Sequence, residues 1–160
     1  MEDIPLFIGK GADAPRKNLK FTRRKTIVAI VFDPKTNKYL CLRRKDTGWE
    51  TFVTGGIEKD QSAIEAALTE VTQETGYINL RIIEELPRYD LALYHTPKGK
   101  NLFVQAHPFL FELIDCEQKV VEEDELVQHD YFWLTEDELK DFKLPKGHRF
   151  LFNSIQNKTM

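Results

Sequence analysis

Apolar and polar positions in the first third of the chain predict strands that are separated by turns. TIVAIVFD (26–33) and KYLCLRR (38–44) have strand-like patterns, and the Pro34–Asn37 segment between them predicts the turn of a β-hairpin. TFVTGG (51–56) is a further short strand that ends in a glycine pair. Residues 1–20 show little periodicity, which predicts an arm with one short strand.

The next segment has the periodicity of a helix. Ser62 and Glu65 match the capping-box pattern and Gly76 suits the position after a helix, so a helix is predicted over residues 62–75. At about 100° per residue, one face is a predicted core stripe of Ile64, Leu68, Val71 and Thr75. A second face carries Ala63, Ala66, Ala67, Glu70, Gln73 and Glu74.

The remaining half of the chain returns to strands and closes with helices. Strand patterns occupy residues 78–86, 88–96, 101–114 and 131–134, and helical patterns occupy 135–142 and 147–156. Strands on both sides of a helix indicate a mixed α/β (α+β) class. We expect a single domain over residues 1–160, with an N-terminal arm at 1–20 and a C-terminal helix within 143–160.

Composition and charge exclude several classes of function. The chain has 160 residues, of which 41% are hydrophobic and 31% charged, as in a soluble single-domain protein. A net charge of −3 provides no strong signal for nucleic-acid binding. No apolar run approaches the roughly 20 residues that span a bilayer, the first residues lack a secretory pattern, and Cys41 and Cys116 form no disulfide framework. We therefore expect a cytoplasmic protein without a membrane partner.

Two glutamates on the second helix face suggest a chemical role. Glu70 and Glu74 are four residues apart, a spacing at which like charges destabilise a helix by roughly 0.2–0.5 kcal/mol. A hard cation such as Mg²⁺ would convert this repulsion into coordination, and the preceding Gly55–Gly56 pair lets the backbone approach a ligand closely. The pattern fits metal-assisted hydrolysis of a phosphoanhydride; glutamates that face water are the common alternative.

The segment from 55 to 77 resembles the Nudix box, G-x5-E-x7-R-E-U-x-E-E-x-G-U, where U is a bulky aliphatic residue. The matching residues are Gly55, Glu70, Val71, Glu74 and Gly76, with the aromatic Tyr77 at the last U. The predicted order of elements is also similar to that of the family. The resemblance implies an α/β/α sandwich with a mixed central sheet, a pyrophosphatase activity, and Mg²⁺ or Mn²⁺ as cofactor.

Three positions depart from the box. Gln61 stands in place of the first Glu, Thr69 in place of the Arg, and Gln73 in place of the first of the paired glutamates. Glutamine offers a carbonyl oxygen but neither a charge nor a base, and threonine cannot orient glutamates as arginine does. Because the Glu at position 61 and the Arg at position 69 are both absent, neither is left as a charge without its partner. We expect the site to persist with weaker metal affinity.

The resemblance also implies a set of site residues. The implied metal ligands are Glu70, Gln73 and Glu74 with a backbone carbonyl of Gly55 or Gly56, and Glu70 and Glu74 are the implied catalytic residues. Another metal ligand or base is expected from Glu58 in the glycine loop or from Glu123 or Glu125 in the acidic run 122–125. A solvated acidic turn is the alternative interpretation of that run.

Basic and aromatic residues provide candidates for substrate binding. Residues 23–25 begin the first hairpin strand and 43–45 end the second, so antiparallel pairing would bring the two basic groups together. Arg43 and Arg44 would then clamp a diphosphate, and Trp49 would stack on a base. The alternatives are a solvated end of the sheet and an aromatic residue in the core.

Two functions are consistent with these patterns. The first is a Nudix-type hydrolase that cleaves the pyrophosphate bond of a nucleoside diphosphate linked to another moiety, with Glu70 or a residue of the acidic run as the base. The alternative is a catalytically impaired Nudix-fold module that binds a nucleotide or has a regulatory or interaction role, as the three departures from the box suggest. The hydrolase would take a small nucleotide-diphosphate substrate, and the module would bind a nucleotide or a protein partner. The N-terminal arm would support a homodimer by strand exchange.

Overall fold

A computed structural model describes residues 3–158, with side chains to residue 156, and shows a mixed sheet flanked by helices. In chain order the strands are β1 (Leu6–Ile8), β2 (Phe21–Asp33), β3 (Lys38–Arg44), β4 (Glu50–Thr51), β5 (Val53–Gly56), β6 (Leu80–Glu85), β7 (Tyr89–His95), β8 (Lys100–Leu113) and β9 (His129–Thr135). The helices are α1 (Ala63–Thr75), α2 (Glu123–Gln128), α3 (Glu136–Asp141) and α4 (Lys146–Lys158). Among the described residues, no helix has the length and apolar character that crossing a membrane requires.

Two long parallel strands form the centre of the sheet. β2 and β8 pair from Phe21↔Asn101 to Phe32↔Glu112, and the other strands attach to one or other of them. β5 and the turn end of β3 pair with β2, whereas β7 and β6 pair with successive parts of β8. At the outer end, β1 lies parallel to β7, so the N-terminal segment contains the predicted short strand.

Alternate side chains of β2 pack against helices on opposite faces of the sheet, as the two-residue period of a strand requires. Ile27, Ala29 and Val31 contribute to a core shared with α1. Val28 and Ile30 contribute to a second core shared with α3 and α4. The mixed α+β class and its helix–sheet–helix layers are therefore confirmed.

Ser62 and Gly76 cap α1 as predicted, with the Ser62 half of the capping box formed, and the predicted core stripe is confirmed at Val71, Thr75 and the partly buried Leu68 but wrong at Ile64. Ile64 is 38% exposed, while Ala66 and Ala67 are buried together with Val71 and Thr75. The small alanine side chains let the helix lie close to the sheet, which buries the face that also carries the glutamates. The apolar periodicity that defined the stripe overweighted the large aliphatic residue and underweighted alanine.

The predicted pairing of the two basic strand ends does not form. β2 and β3 pair only at Phe32↔Tyr39 and Asp33↔Lys38, next to the turn. Beyond that point β5 takes the place beside β2, with Thr26 opposite Gly56. The short strand that follows the hairpin competes successfully for the same edge, and the sequence alone does not reveal this competition.

Candidate active site

The two ends of α1 set the direction in which its glutamates point. At the N-terminus, the Ser62 hydroxyl accepts a hydrogen bond from the Glu65 amide at 3.1 Å. At the C-terminus, Gly76 has a left-handed φ of 87°, which a residue with a side chain adopts only at a cost. With both ends fixed, Glu70 and Glu74 face the glycine loop and the start of β9 rather than open solvent.

Glu70 lies against the backbone of Gly55. A side-chain carbon added at Gly55 would overlap the Glu70 carboxyl group, so this close approach requires glycine. Burial, followed by the charge of Glu125, raises the pKa of Glu70 to about 7, and the Arg24 guanidinium partly opposes this shift. A carboxyl group that titrates near neutral pH is suited to proton transfer.

Glu74 is the more deeply placed carboxylate. Its Oε2 atom is buried and, within residues 3–156, makes no hydrogen bond. Burial, then the charges of Glu70 and Glu125, raises the pKa of Glu74 well above its ordinary value, and Arg44 opposes the shift. The last turn of a helix also disfavours a negative charge by about 0.3–1 kcal/mol. An unpartnered buried carboxylate oxygen is costly unless a cation or a proton satisfies it.

The acidic run contributes one of its members to the site. It forms the short helix α2, which the sequence analysis missed, and this helix places Glu125 beside Glu74 while Glu123 stays exposed. His129, the first residue of β9, joins them: Glu74, Glu125 and His129 each offer a metal-binding atom within 4.8 Å of the others.

This donor set fits a divalent cation. It combines a buried oxygen without a partner, a second carboxylate, an imidazole, and a neighbouring carboxylate at Glu70 whose charge is also unfavourable. A divalent cation would offset the cost of burial and the repulsion from Glu125, which together raise the pKa of both glutamates. The charged side chains that the structure gathers here are therefore consistent with the metal role that the sequence predicted for Glu70 and Glu74.

The three departures from the box have distinct structural consequences. Gln61 takes a role in the loop, because its Oε1 accepts a hydrogen bond from the Glu58 amide at 3.0 Å. The Glu58 carbonyl in turn accepts one from the Gln61 amide at 3.1 Å. Thr69 and Gln73 are exposed on α1. The substituted positions therefore leave the buried pair of glutamates undisturbed, and the metal role of Gln73 stays a prediction.

Arginine and tryptophan side chains gather around His95, near the glycine loop. The Arg24 guanidinium lies against Gly56, where an added side-chain carbon would overlap it. Burial, then Arg44 and Arg24, lowers the pKa of His95, which places both arginines near this imidazole. Trp49 packs edge-on against His95 with ring centroids 5.4 Å apart. Arg24 opposes the raised pKa of Glu70 and Arg44 opposes that of Glu74, so both guanidinium groups act on the carboxylates, whereas Trp49 contacts His95.

Neighbouring arginines on β3 point to opposite faces of the sheet. Arg44 pairs with Asp46 at 2.7 Å on the face of the glutamates. Arg43 pairs with Glu50 at 2.6 Å and lies over the Phe132 ring at 5.0 Å, on the face of the second core. Only one of the two sequence-predicted arginines therefore reaches the candidate site.

A cavity of about 380 Å³ opens beside the glycine loop. Its lining includes Lys25, Glu58, Lys59 and His107. Glu58, which lines this cavity, is also one of the charges that raise the pKa of Glu70. The combination of a metal-compatible centre, flanking guanidinium groups and an adjacent cavity is typical of an enzyme that acts on phosphate esters or anhydrides.

Comparison with known proteins identifies the class. The family model for the NUDIX domain matches residues 22–155, which is most of the chain. The chain therefore belongs to the Nudix domain family, whose members generally use divalent metals. The curated proteins with which it was compared include no match.

Solved structures agree on the fold. A MutT protein from Methanosarcina mazei Go1 is similar with a TM-score of 0.63 at 19% identity, over 89% of this chain and 99% of that one. The NUDIX domain of Shewanella oneidensis NrtR, solved with ADP ribose, is similar with a TM-score of 0.67 at 15% identity, over 87% of this chain and 90% of that one. A UDP-X diphosphatase is similar with a TM-score of 0.60 at 17% identity, over 88% of this chain and 66% of that one.

Two residues of the site were missed in the sequence analysis. Arg24 was seen only as part of a basic group, since nothing in the sequence indicated that it would lie against Gly56. His129 was one of four scattered histidines with no metal-binding spacing. Its proximity in sequence to Glu125, four residues earlier, was the one available signal.

Proposed function

We propose that this protein is a divalent-metal-dependent pyrophosphohydrolase that acts on a nucleoside diphosphate linked to another moiety. The observation that carries the proposal is the Glu74 Oε2 atom, which is buried near Glu70 and Glu125 and has no hydrogen-bond partner within residues 3–156. A binding module with no use for a cation would have little reason to keep such an unfavourable group.

The chain's own residues divide the chemical work. Glu70, Glu74 and Glu125 would hold Mg²⁺ or Mn²⁺ together with a backbone carbonyl of Gly55 or Gly56. When bound, the ion polarises the phosphate and lowers the pKa of a water molecule. Glu70 would accept a proton from the attacking water at its carboxylate oxygen.

The flanking residues would bind and orient the substrate. Arg24 and Arg44 supply guanidinium groups that suit bidentate contacts with a diphosphate, and Trp49 offers a ring face for a base. The cavity lined by Lys25 and Lys59 would receive the linked moiety. The ADP ribose bound to the NrtR domain and the name of the UDP-X diphosphatase support this substrate class, since both refer to nucleotide diphosphates.

The test is hydrolysis by the purified protein. The panel consists of nucleoside triphosphates, dinucleoside polyphosphates, ADP-sugars and NADH, each with Mg²⁺ and with Mn²⁺. Wild type should hydrolyse at least one substrate and Glu70→Gln should lose that activity. Glu65→Gln, which neutralises an exposed glutamate on the same helix, is the matched control and should retain it. An unchanged rate in Glu70→Gln would contradict the proposal.

A second candidate is a nucleotide-binding module with impaired catalysis. It is favoured by Gln73 and Thr69, which replace a metal ligand and its orienting arginine. It predicts that ADP ribose binds equally well with and without a divalent ion, whereas the hydrolase predicts binding that an added ion strengthens. Calorimetry with ADP ribose in chelator and in Mg²⁺ separates the two.

We also infer that residues 1–160 form one domain and that the protein works in the cytoplasm. Both cysteines are free, Cys41 buried and Cys116 exposed, which suits a reducing compartment. The outer edge of β1 carries the exposed Leu6 and Ile8 and would support a homodimer. Gel filtration with light scattering tests the dimer, and a variant with both residues changed to Lys should be monomeric.

A further inference from the structure

Glu74, Glu125 and His129 form a cluster with an unusual ligand for a magnesium centre. Two carboxylates and one imidazole offer atoms within 4.8 Å of one another. We propose that His129 is a nitrogen ligand of the bound ion, so that this centre binds first-row transition-metal ions in preference to Mg²⁺. The inference rests on the proposed function, because Glu74 belongs to both.

The imidazole is oriented for this role. Its Nε2 atom lies 3.4 Å from the backbone carbonyl oxygen of Glu74. A carbonyl oxygen only accepts hydrogen bonds, so the favourable tautomer carries its proton on Nε2. The lone pair is then on Nδ1, which points toward Glu125. Donation of the remote ring N–H to a backbone carbonyl is the usual arrangement of a metal-binding histidine.

The separation of the donor atoms suits a shared ion better than a direct contact. His129 Nδ1 and the Glu125 Oε2 atom are 3.9 Å apart, which is too long for a hydrogen bond. Two metal–ligand bonds of about 2.0–2.2 Å span up to about 4.4 Å. One ion can therefore bind both atoms with little movement of either side chain.

The cluster is held by rigid elements. His129 is 8% exposed, and as the first residue of β9 it pairs with Arg44 of β3. The end of α2 is fixed to β3 by Lys45, whose amide donates to the Gln128 carbonyl at 2.8 Å. Its ammonium group donates to the Leu126 carbonyl at 2.7 Å. These contacts keep Glu125 and His129 near Glu74.

The buried Oε2 atom of Glu74 is an independent sign of a ligand at this point. Among the described residues it has no hydrogen-bond partner, although Glu125 and His129 are both close. Mg²⁺ strongly prefers oxygen ligands, whereas imidazole favours Co²⁺, Ni²⁺ and Zn²⁺. The nitrogen ligand would thus replace the carboxylate lost at Gln73, and it would change the ion preference of the site.

The experiment measures metal binding rather than turnover. Metal ions are first removed from the full-length protein with a chelator. The binding of Co²⁺ is then measured by visible absorption, and the binding of Mg²⁺ is measured by calorimetry. Wild type should bind Co²⁺ more tightly than Mg²⁺, with an absorption spectrum that indicates a nitrogen ligand. His129→Asn should weaken Co²⁺ binding by about 10–100-fold and change Mg²⁺ binding little. Asp124→Asn, which neutralises the exposed acid next to Glu125, should leave the Co²⁺ affinity and spectrum unchanged.

Two outcomes would overturn the inference. One is equal affinity of wild type for Co²⁺ and Mg²⁺; the other is a Co²⁺ spectrum and affinity in His129→Asn that match wild type. If His129→Asn fails to fold, Glu125→Gln takes its place and should also weaken Co²⁺ binding. Hydrolysis that depends on Glu70 would leave the proposed function standing even if His129 proves irrelevant to metal binding.

Discussion

The Glu70 carboxyl group packs directly on the backbone of Gly55, in the space that a side chain at residue 55 would otherwise occupy. The contact joins the glycine loop to α1 and positions a carboxylate that titrates near pH 7. The lack of a side chain at Gly55 therefore leaves room for the Glu70 carboxyl group. It also lets the backbone approach a ligand closely.

Gly55→Ala should displace Glu70 and reduce hydrolysis. A misplacement of about 1 Å in a catalytic group can cost about 10²-fold in rate, and overpacking of a filled site costs about 1–3 kcal/mol of stability. Steady-state kinetics and thermal unfolding measure the two effects. The stability loss should be smaller when Gly55→Ala is made in a Glu70→Ala background, because the clash partner is gone. Equal losses in both backgrounds would contradict the contact.

The raised pKa of Glu70 predicts a pH-dependent cost of folding in the metal-free protein. Below about pH 4.5 the group is protonated in both the folded and unfolded states, so it costs nothing. Between about pH 4.5 and 7 the unfolded chain loses its proton first, so stability falls as pH rises, and above pH 7 the cost is constant. Glu70→Gln should therefore be more stable than wild type at pH 8 and similar to it near pH 4.5.

This comparison has to be made between variants. The buried His148 has its pKa lowered to about 4, so it destabilises the fold as pH falls below about 6.5, in the opposite sense to Glu70. Thermal unfolding of Glu70→Gln and wild type in chelator, at pH 4.5 and 8, cancels the histidine contribution. A Glu70→Gln variant that is less stable than wild type at pH 8 would contradict the assigned burial cost.

Restoring the missing carboxylate should strengthen Mg²⁺ binding. Gln73→Glu adds an oxygen ligand beside Glu70 and Glu74, at a cost of roughly 0.2–0.5 kcal/mol in metal-free stability from like charges. Calorimetric titration with Mg²⁺ measures the gain. Thr69→Glu adds the same charge to another exposed position of α1, and it should give a smaller gain. If the two variants gain equally, position 73 has no special access to the metal.

The two neighbouring arginines of β3 should differ in their kinetic effects. Arg44→Ala removes a guanidinium group from the side of the glutamates, so KM should rise by about 10–100-fold, as expected from charge-assisted hydrogen bonds of about 1.5–3 kcal/mol. Arg43→Ala removes a group held by Glu50 on the opposite face and should leave KM nearly unchanged. A larger KM effect at Arg43 would show that substrate approaches from the other face of the sheet.

Local patterns in the sequence were enough to predict the helix and its two glutamates. The hydroxyl of Ser62, the glycine at 76 and the four-residue spacing of Glu70 and Glu74 all act within one helix, so they can be recognised without the rest of the fold. The prediction put Ile64 in the core and left out Ala66 and Ala67, because buried alanines carry a weak hydrophobic signal.

Long-range relationships account for what was missed. Glu125 and His129 lie more than 50 residues beyond Glu70 in the chain, and only the pairing of β9 with β3 brings them near α1. The same holds for Arg24, because the pairing of β5 with β2 brings Gly56 against its guanidinium group. Neither pairing has a local signal in the sequence.

The most direct test of the central claim is a calorimetric titration of chelator-treated protein with Mn²⁺, for wild type and for Glu74→Gln. Since the buried Glu74 Oε2 atom has no partner among the described residues, we expect wild type to bind Mn²⁺ and Glu74→Gln to lose most of that affinity while it stays folded. Failure of wild type to bind Mn²⁺, or unchanged binding by Glu74→Gln, would contradict the assignment of this cluster as the metal centre.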